Sequence, residues 1–295
     1  MNGPWGSVLT AMVTPFDERG ALDLDAAANL ARWLADHGND GLVVAGTTGE
    51  APTLSESEKL ELWRAVSEAV SIPVVAGTGT NNTAETIELT RRAAETGAAG
   101  VLVVAPYYNR PPQSGIEAHF RAVADATNLP LMIYDVPGRT GRRIAHDVIV
   151  RLVHDVRNVI GLKDATGDPP AAARLLADAP DLAIYSGDDA MTLPLLAQGA
   201  IGVVGVATHW AAPEFGEMIA AFEKGDVVRA REINARLLDS YAFENSDTCV
   251  FSQAAKAMMR ALGVPVGDCR LPLGPAPAGT EDRAREVYAH LRSTT

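Results

Sequence analysis

The sequence predicts an α/β protein, specifically a (β/α)8 TIM barrel with a C-terminal helical appendage. Three observations predict this fold class. Short apolar runs alternate with amphipathic helical stretches, glycines mark the passage from helix to strand, and the runs number eight. Eight strands in strict alternation with helices favour a closed barrel over a doubly wound open sheet.

The predicted strands are apolar along their length, as strands of a parallel sheet covered on both faces must be. Gly38 and Gly41 precede the second strand, and similar glycine pairs precede the fourth and eighth strands. The eight strands are predicted near residues 8–13, 42–46, 73–76, 101–105, 131–134, 159–162, 182–185 and 201–206.

The helices between the strands begin at recognisable capping patterns. A capping side chain stands three residues before an acid at Ser55 and Glu58, Asn82 and Glu85, and Ser114 and Glu117. From residue 212 onward the chain becomes mainly helical, with helices predicted near 213–223, 226–240, 249–262 and 280–291. We therefore divide the chain into a barrel domain that carries the catalytic residues, 1–211, and a C-terminal helical region, 212–295.

Composition limits the classes of partner. A net charge of −12 and a pI near 4.9 argue against binding to nucleic acid or to anionic membranes, which require clustered Lys and Arg. No window approaches the roughly 18 apolar residues of a membrane span. The two cysteines, Cys249 and Cys269, do not suggest a disulfide framework. We expect a soluble, cytoplasmic protein that acts on small molecules.

Lys163 is the strongest candidate for chemistry. It is one of only four lysines, and it stands where the apolar run 159–162 ends and a polar turn begins. Burial at a strand end lowers the pKa of an ammonium and yields a nucleophilic amine, although a lysine that merely extends to solvent remains an alternative. Lys59, Lys224 and Lys256 are predicted to face solvent, because polar residues flank them.

Polar residues follow the other strands, at the end of a barrel where active sites gather. Thr47 and Thr48 follow the second strand and Tyr107 and Tyr108 the fourth; Tyr134 ends the fifth strand and Arg139 follows it; Ser186, Gly187, Asp188 and Asp189 follow the seventh. An amine that attacks a carbonyl needs hydroxyls to relay a proton, and a carboxylated substrate needs a counter-group such as Arg139.

Other mechanisms have weaker signals. The six histidines show no metal-binding spacing, and the sequence contains neither a dinucleotide-binding glycine motif nor a nucleophilic-serine elbow. We therefore expect no metal and no cofactor.

At these positions the chain resembles the dihydrodipicolinate synthase and N-acetylneuraminate lyase superfamily of pyruvate-dependent class I aldolases, and within it the 4-hydroxy-tetrahydrodipicolinate synthases. The resemblance covers about residues 6–275. It rests, in order, on residues 14–16 (TPF), 46–50 (GTTGE), 76–79 (AGTG), 106–111 (PYYNRP), Tyr134 with 136–141 (VPGRTG), 161–167 (GLKDATG) and 186–189 (SGDD).

The resemblance implies that Lys163 forms a Schiff base with pyruvate and that the enamine attacks L-aspartate 4-semialdehyde. It implies a proton relay of Thr47, Tyr134 and Tyr108, with Tyr108 supplied by a neighbouring subunit of a homotetramer, a dimer of dimers. It further implies that Thr48 binds the pyruvate carboxylate and that Arg139 binds the carboxylate of the semialdehyde. Gly187 and Val204 match positions whose backbone lines the pyruvate pocket.

The chain departs from the family pattern at several positions. Asp135 stands where many members have Asn, and Val204 with Gly205 replaces a commoner Ile-Ser pair. The site for feedback inhibition by lysine is only partly matched: Asn81, Glu85 and Tyr107 agree, whereas Ala51, Pro52, Glu56 and Lys59 differ. We therefore expect weak or absent inhibition by L-lysine.

Two alternatives remain open from the sequence. The first is another pyruvate-dependent class I aldolase, such as a 2-keto-3-deoxy-sugar-acid aldolase, although Arg139 argues against a polyol substrate. The second is a non-catalytic sensor on the same barrel, which predicts loss of Lys163 or of a relay hydroxyl; all of these groups are present.

Overall fold

A computed structural model of the protein describes residues 3–246 and 248–293. Its eight strands are parallel, each pairs with the next, and β8 pairs with β1 to close the barrel. The barrel prediction is confirmed. The strands are β1 Val8–Ala11, β2 Gly41–Val44, β3 Val74–Gly77, β4 Gly100–Val104, β5 Leu131–Asp135, β6 Val159–Asp164, β7 Ala183–Ser186 and β8 Gly202–Gly205.

Helices surround the strands and continue beyond the last one. In the described part of the chain they are α1 Leu24–Asp36, α2 Glu56–Ala69, α3 Thr83–Ala93, α4 Gln113–Ala124, α5 Pro137–Thr140, α6 His146–Asp155, α7 Pro169–Asp178, α8 Thr192–Leu196, α9 Thr208–Glu223, α10 Val227–Glu244, α11 Phe251–Ala261 and α12 Thr280–Ser293. None of these helices is both long and apolar enough to cross a membrane.

The inward-facing side chains form a core of their own, and Trp5 closes its N-terminal end. Trp5 is buried and its indole nitrogen donates to the carbonyl of Ala99 at 3.2 Å. A Cβ at Gly100 would lie 2.6 Å from this indole, and one at Gly161 would lie 2.9 Å from it. Glycine at these two strand positions therefore makes room for the tryptophan.

Two of the three capping predictions are confirmed and one is wrong. Ser55 and Glu58 form a reciprocal capping box at the start of α2, and the Asn82 side chain caps α3. Ser114, by contrast, lies inside α4, because Pro112 is the N-cap and the helix begins at Gln113. The helix starts as soon as the two prolines end, which leaves no cap for a serine to form.

The proposed division at residues 211 and 212 falls inside α9, at a kink where Ala211 has non-helical dihedral angles two residues before Pro213. The division into two regions stays a prediction, and Asp247, Thr294 and Thr295 of its second part lie outside the described residues. Helix α12 packs against α10 and α11, with Arg260 of α11 bound to Glu281 at 2.6 Å.

Candidate active site

Lys163 lies inside the barrel near the C-terminal end of β6. Its register partner on β5 is Tyr134, and its ammonium nitrogen is 4.7 Å from the centre of the Tyr134 ring. The residue is only 6% exposed, and no carboxylate of the described residues lies within ion-pair distance of it. The pKa of Lys163 is lowered to about 8: burial is the main cause and Arg139 contributes to the lowering, whereas Asp189 and Glu244 oppose it. Near physiological pH a far larger fraction of this amine is neutral, and therefore nucleophilic, than of an ordinary lysine.

Tyr134 and Thr47 form a hydroxyl pair beside this amine. Tyr134 is buried in the barrel interior, and the Thr47 side chain lies close enough to its hydroxyl to lower the pKa of the phenol. Burial is the main cause that raises the pKa of Tyr134, so the phenol keeps its proton at neutral pH. The pair can therefore pass a proton between the cavity and a group bound to Lys163.

The loop that carries Thr47 is fixed by hydrogen bonds to the buried carboxylate of Glu50. After β2 the backbone turns through Ala45 and Glu50, which both have left-handed φ angles, 57° and 58°. Glu50 is buried, and its carboxylate accepts from Lys256 Nζ at 2.8 Å and from the Arg270 amide at 2.8 Å. These bonds fix the end of the 46–50 turn, in which Thr48 is also buried.

A cavity of about 370 Å³ opens above the hydroxyl pair. Thr47, Tyr134 and Arg139 line it, and Arg139, on the single-turn helix α5, places its guanidinium 5.1 Å from the centre of the Phe251 ring. Arg139 is the cation of the lining whose charge acts on Tyr134, so it can bind the carboxylate of a molecule in this cavity. The volume suits a small metabolite.

Of the two predicted pocket-wall residues, Gly187 packs against the lysine. A Cβ at Gly187 would lie 2.9 Å from Lys163 Cγ, so a side chain there would displace the lysine. Val204 is fully buried on β8 and belongs to the interior core that includes Tyr134. Glycine at position 187 therefore makes room for Lys163, and the place of Val204 in a pyruvate pocket stays a prediction.

Tyr108 is the predicted site residue that the fold does not bring to Lys163 within one chain. It follows β4, has a left-handed φ of 72° and is 89% exposed. A non-glycine residue at positive φ with an outward-pointing aromatic ring is unusual. The loop directs this side chain away from its own barrel.

Two of the lysines predicted to face solvent are buried, which corrects that prediction; Lys224 is exposed as predicted. Lys59 lies in the wall of the same cavity, where burial lowers its pKa while Glu85 and Glu56 oppose the shift. Lys256 is 1% exposed and pairs with Glu50. Their neighbours in sequence are polar, but the surfaces that cover them come from elsewhere in the chain.

Asp135, the departure from the family pattern on β5, does not face the cavity above Lys163. It alternates with Tyr134 along the strand and points outward, where it lines a second cavity of about 290 Å³ with Arg143. Burial raises the pKa of this carboxyl to about 7. The departure therefore leaves the hydroxyl pair and the lysine unchanged.

Two buried acids act on the lysine, and sequence reasoning placed Asp189 at a strand end but missed Glu244. Asp189, just after β7, and Glu244, at the end of α10, are both buried and both influence Lys163. The run of two aspartates after a strand was a signal for Asp189, whereas nothing near Glu244 in sequence indicates its place. Among residues 3–246 and 248–293, no group of three or more His, Cys, Asp or Glu side chains is suited to hold a metal ion.

Comparison with known proteins decides the family. The model of the dihydrodipicolinate synthetase family matches residues 4–292. The chain belongs to this family. A relative named 4-hydroxy-tetrahydrodipicolinate synthase from Acidothermus cellulolyticus is 54% identical over 97% of this chain and 92% of its own length.

Two solved structures of the family have the same architecture. Dihydrodipicolinate synthase from Cyanidioschyzon merolae, crystallised with lysine bound, has a TM-score of 0.95 at 43% identity and covers 99% of both chains. The enzyme from Acinetobacter baumannii, crystallised with pyruvate, has a TM-score of 0.90 at 34% identity and covers 97% of this chain and 98% of its own.

Proposed function

We propose that the chain is a 4-hydroxy-tetrahydrodipicolinate synthase, a lyase of the class I aldolase type that condenses pyruvate with L-aspartate 4-semialdehyde in diaminopimelate and lysine biosynthesis. One observation carries the proposal. A buried lysine with a lowered pKa lies against Tyr134, and Tyr134, Thr47 and Arg139 line one cavity. The names of the relatives support the same reaction.

The first half of the reaction joins pyruvate to the enzyme. The neutral amine of Lys163 attacks the pyruvate carbonyl carbon, and the carbonyl oxygen takes a proton from Tyr134. The resulting carbinolamine loses water to give the Schiff base, with Tyr134 and Thr47 moving the protons that this step requires. Loss of a proton from the pyruvate methyl group then gives the enamine.

The second half forms the new carbon–carbon bond. The enamine carbon attacks the aldehyde carbon of the semialdehyde, and the aldehyde oxygen takes a proton to become the hydroxyl group. The amino group of the semialdehyde then attacks the Schiff-base carbon, releases Lys163 and closes the ring. In this scheme water and the cyclic product are released, and the enzyme returns to its starting state.

The remaining site residues bind the two substrates. We assign Thr48 to the pyruvate carboxylate, and Gly187 and Val204 to the backbone wall of the pyruvate pocket. Arg139 binds the carboxylate of the semialdehyde, because its guanidinium stands in the cavity beyond the hydroxyl pair. A carboxylate fits this position better than the polyol of a sugar-derived aldehyde does.

We assign Tyr108 to the proton relay of a neighbouring subunit. Its ring is 89% exposed on a strained loop, which supports a role outside its own barrel. The assignment requires at least a dimer, and we propose the dimer of dimers that the family resemblance implies. Action in the cytoplasm stays a prediction from composition.

The test is pyruvate consumption with three aldehydes at matched concentration: L-aspartate 4-semialdehyde, D-glyceraldehyde and N-acetylmannosamine. We expect a large preference for the semialdehyde. A preference for a sugar aldehyde would assign the chain to another aldolase activity. Borohydride reduction with pyruvate should add one pyruvate-derived mass at Lys163 and none in Lys163→Ala, and absence of the adduct in the wild type would refute the Schiff-base mechanism.

A further inference from the structure

The buried acids Asp189 and Glu244 lie behind Lys163 and play no part in the steps above. Asp189 is 2% exposed and Glu244 is 5% exposed. Asp189 accepts from the amides of Val206 at 2.9 Å and Ala207 at 3.1 Å. Glu244 accepts from the same Ala207 amide at 3.0 Å. Two acidic side chains thus converge on the start of α9.

Both side chains accept from one amide nitrogen, that of Ala207, so their carboxyl groups lie close together in a buried site. Like charges held this close in a buried site do not both ionise. A proton on one of the acids also makes that acid a donor toward the other. The shared amide therefore indicates a pair that carries one proton and one negative charge.

The charge of this pair acts on Lys163. Asp189 raises the pKa of Lys163 against the effect of burial more strongly than Glu244 does, and Lys163 in turn lowers the pKa of Asp189. Burial and the neighbouring acids raise the pKa of Glu244 well above its usual range. These directions place the shared proton on Glu244 and the negative charge on Asp189, the acid with the stronger electrostatic effect on the lysine.

Other charged and titratable groups around the pair come from several elements. Arg139 on α5 lowers the pKa of Lys163, and Asp188 raises the pKa of both acids. Tyr241 on α10 stays protonated, because burial and the two acids raise its pKa. His209 on α9 stays neutral, because burial lowers its pKa to about 4. Among these groups, Lys163 is therefore the one that changes its charge near pH 8, while the pair keeps its single negative charge.

Gly205 makes room for this arrangement. A Cβ at Gly205 would lie 2.4 Å from Asp189 Oδ1, so any side chain at this β8 position would push the carboxylate away. Gly205 is one of the two residues that depart from the commoner pattern at this strand. The close approach of Asp189 to the end of β8 thus depends on the absence of a side chain at position 205.

We propose that Asp189 and Glu244 are positioning residues that share one proton and hold a single negative charge behind Lys163, and thereby set the pH at which the lysine becomes nucleophilic. The proposal rests on Lys163 as the Schiff-base lysine. The ionised Asp189 stabilises the ammonium form of Lys163. A second negative charge on Glu244 would stabilise the ammonium further and leave less of the nucleophilic amine, and the proton on Glu244 prevents this at the pH where the enzyme works.

The experiment measures the rate of borohydride trapping with pyruvate from pH 6 to pH 10 in the full-length protein. Asp189→Asn removes the negative charge, so we expect the midpoint of the pH profile to fall by about one pH unit. Glu244→Gln retains a donor toward Asp189 and leaves Asp189 ionised, so we expect its midpoint to stay at the wild-type value.

A role limited to capping α9 would weaken the fold in both variants and leave both midpoints in place, and that result would overturn the proposal. An equal downward shift in Glu244→Gln would also overturn it, since Glu244 would then carry the charge. No adduct in the wild type would instead refute the proposed function itself.

A second measurement does not depend on Asp189→Asn folding. The infrared spectrum of the wild type at pH 8 should contain the carbonyl band of a buried protonated carboxylic acid. This band should be absent from the spectrum of Glu244→Gln. It should remain in the spectrum of the matched control Asp181→Asn, which replaces an exposed acid after α7. A spectrum in which Glu244→Gln removes no such band would contradict the shared proton.

Discussion

Lys163 and Lys256 are two buried ammonium groups with different surroundings. Lys163 lies against the Tyr134 ring with its acidic neighbours beyond ion-pair distance, whereas Lys256 is 2.8 Å from Glu50 and 2.9 Å from the carbonyl of Asp268. Burial lowers the pKa of both, but Glu50 opposes the shift at Lys256. Direct bonding keeps Lys256 charged and unreactive, and its absence leaves Lys163 available as a nucleophile.

Lys59 gives a physical reason for the expected insensitivity to L-lysine. Its amine lies in the cavity wall together with Glu85, so a carboxylate that could bind a ligand ammonium already faces a cation. We expect L-lysine to inhibit the wild type weakly or not at all. Lys59→Ala frees Glu85 and should lower the lysine concentration required for half-inhibition, as measured in the pyruvate-consumption assay.

The exposed Lys224→Ala is the control for this measurement, since it removes the same charge far from the cavity wall. Half-inhibition of the wild type at submillimolar L-lysine would contradict the expectation.

At the residue scale the sequence predicted those groups whose role depends on local position. Lys163 stands near the end of an apolar strand, Tyr134 near the end of the neighbouring strand and Arg139 just after it, so barrel geometry brings them together. Lys256 and Glu244 could not be predicted in this way. Their partners Glu50 and Asp189 are distant in sequence, and only the packing of α10 and α11 on the barrel creates the contacts.

At the scale of elements, α11 is bound to the active-site loop through a buried ion pair. Lys256 extends from α11 to Glu50, the last residue of the 46–50 turn, and also contacts the Phe16 ring at 4.2 Å. The same Glu50 accepts from the amide of Arg270. The C-terminal helices thus help to fix the turn that presents Thr47 to Tyr134.

Lys256→Met should lower the free energy of unfolding by about 3–5 kcal/mol, because the Glu50 carboxylate would remain buried without its cation. The measurement is urea unfolding at fixed protein concentration, with Lys224→Met as the exposed control, which should change stability by less than about 0.5 kcal/mol. Equal stability of the two variants would show that the ion pair contributes little.

Element prediction succeeded where one local rule decided the outcome and failed where two rules competed. Apolar runs predicted all eight strands to within a few residues, since a parallel barrel buries both faces of each strand. At α4 the serine pattern suggested one start, but the preceding prolines fixed the chain for an earlier one.

At the scale of the whole molecule, the exposed Tyr108 makes a subunit incomplete in the proposed mechanism. Tyr108→Phe should lower kcat by about 10²-fold or more, because the relay loses a hydroxyl. When Tyr108→Phe and Lys163→Ala proteins are dissociated, mixed and reassembled, activity should partly return. In the hybrids, an intact Lys163 meets an intact Tyr108 from the neighbouring subunit.

The control mixes Tyr108→Phe with the double variant that lacks both groups, where no activity should return. Recovery that is absent from both mixtures, in hybrids shown to form, would place the function of Tyr108 within its own chain.

The end of the barrel that Trp5 closes has a consequence for traffic through the site. Trp5 and the buried interior side chains fill the N-terminal end, so the described residues place the approach to Lys163 at the C-terminal end, where the cavity lies. Both substrates, the released water and the product therefore share one passage. Because the Schiff base must form before the enamine can attack, the chemistry requires pyruvate to use that passage first.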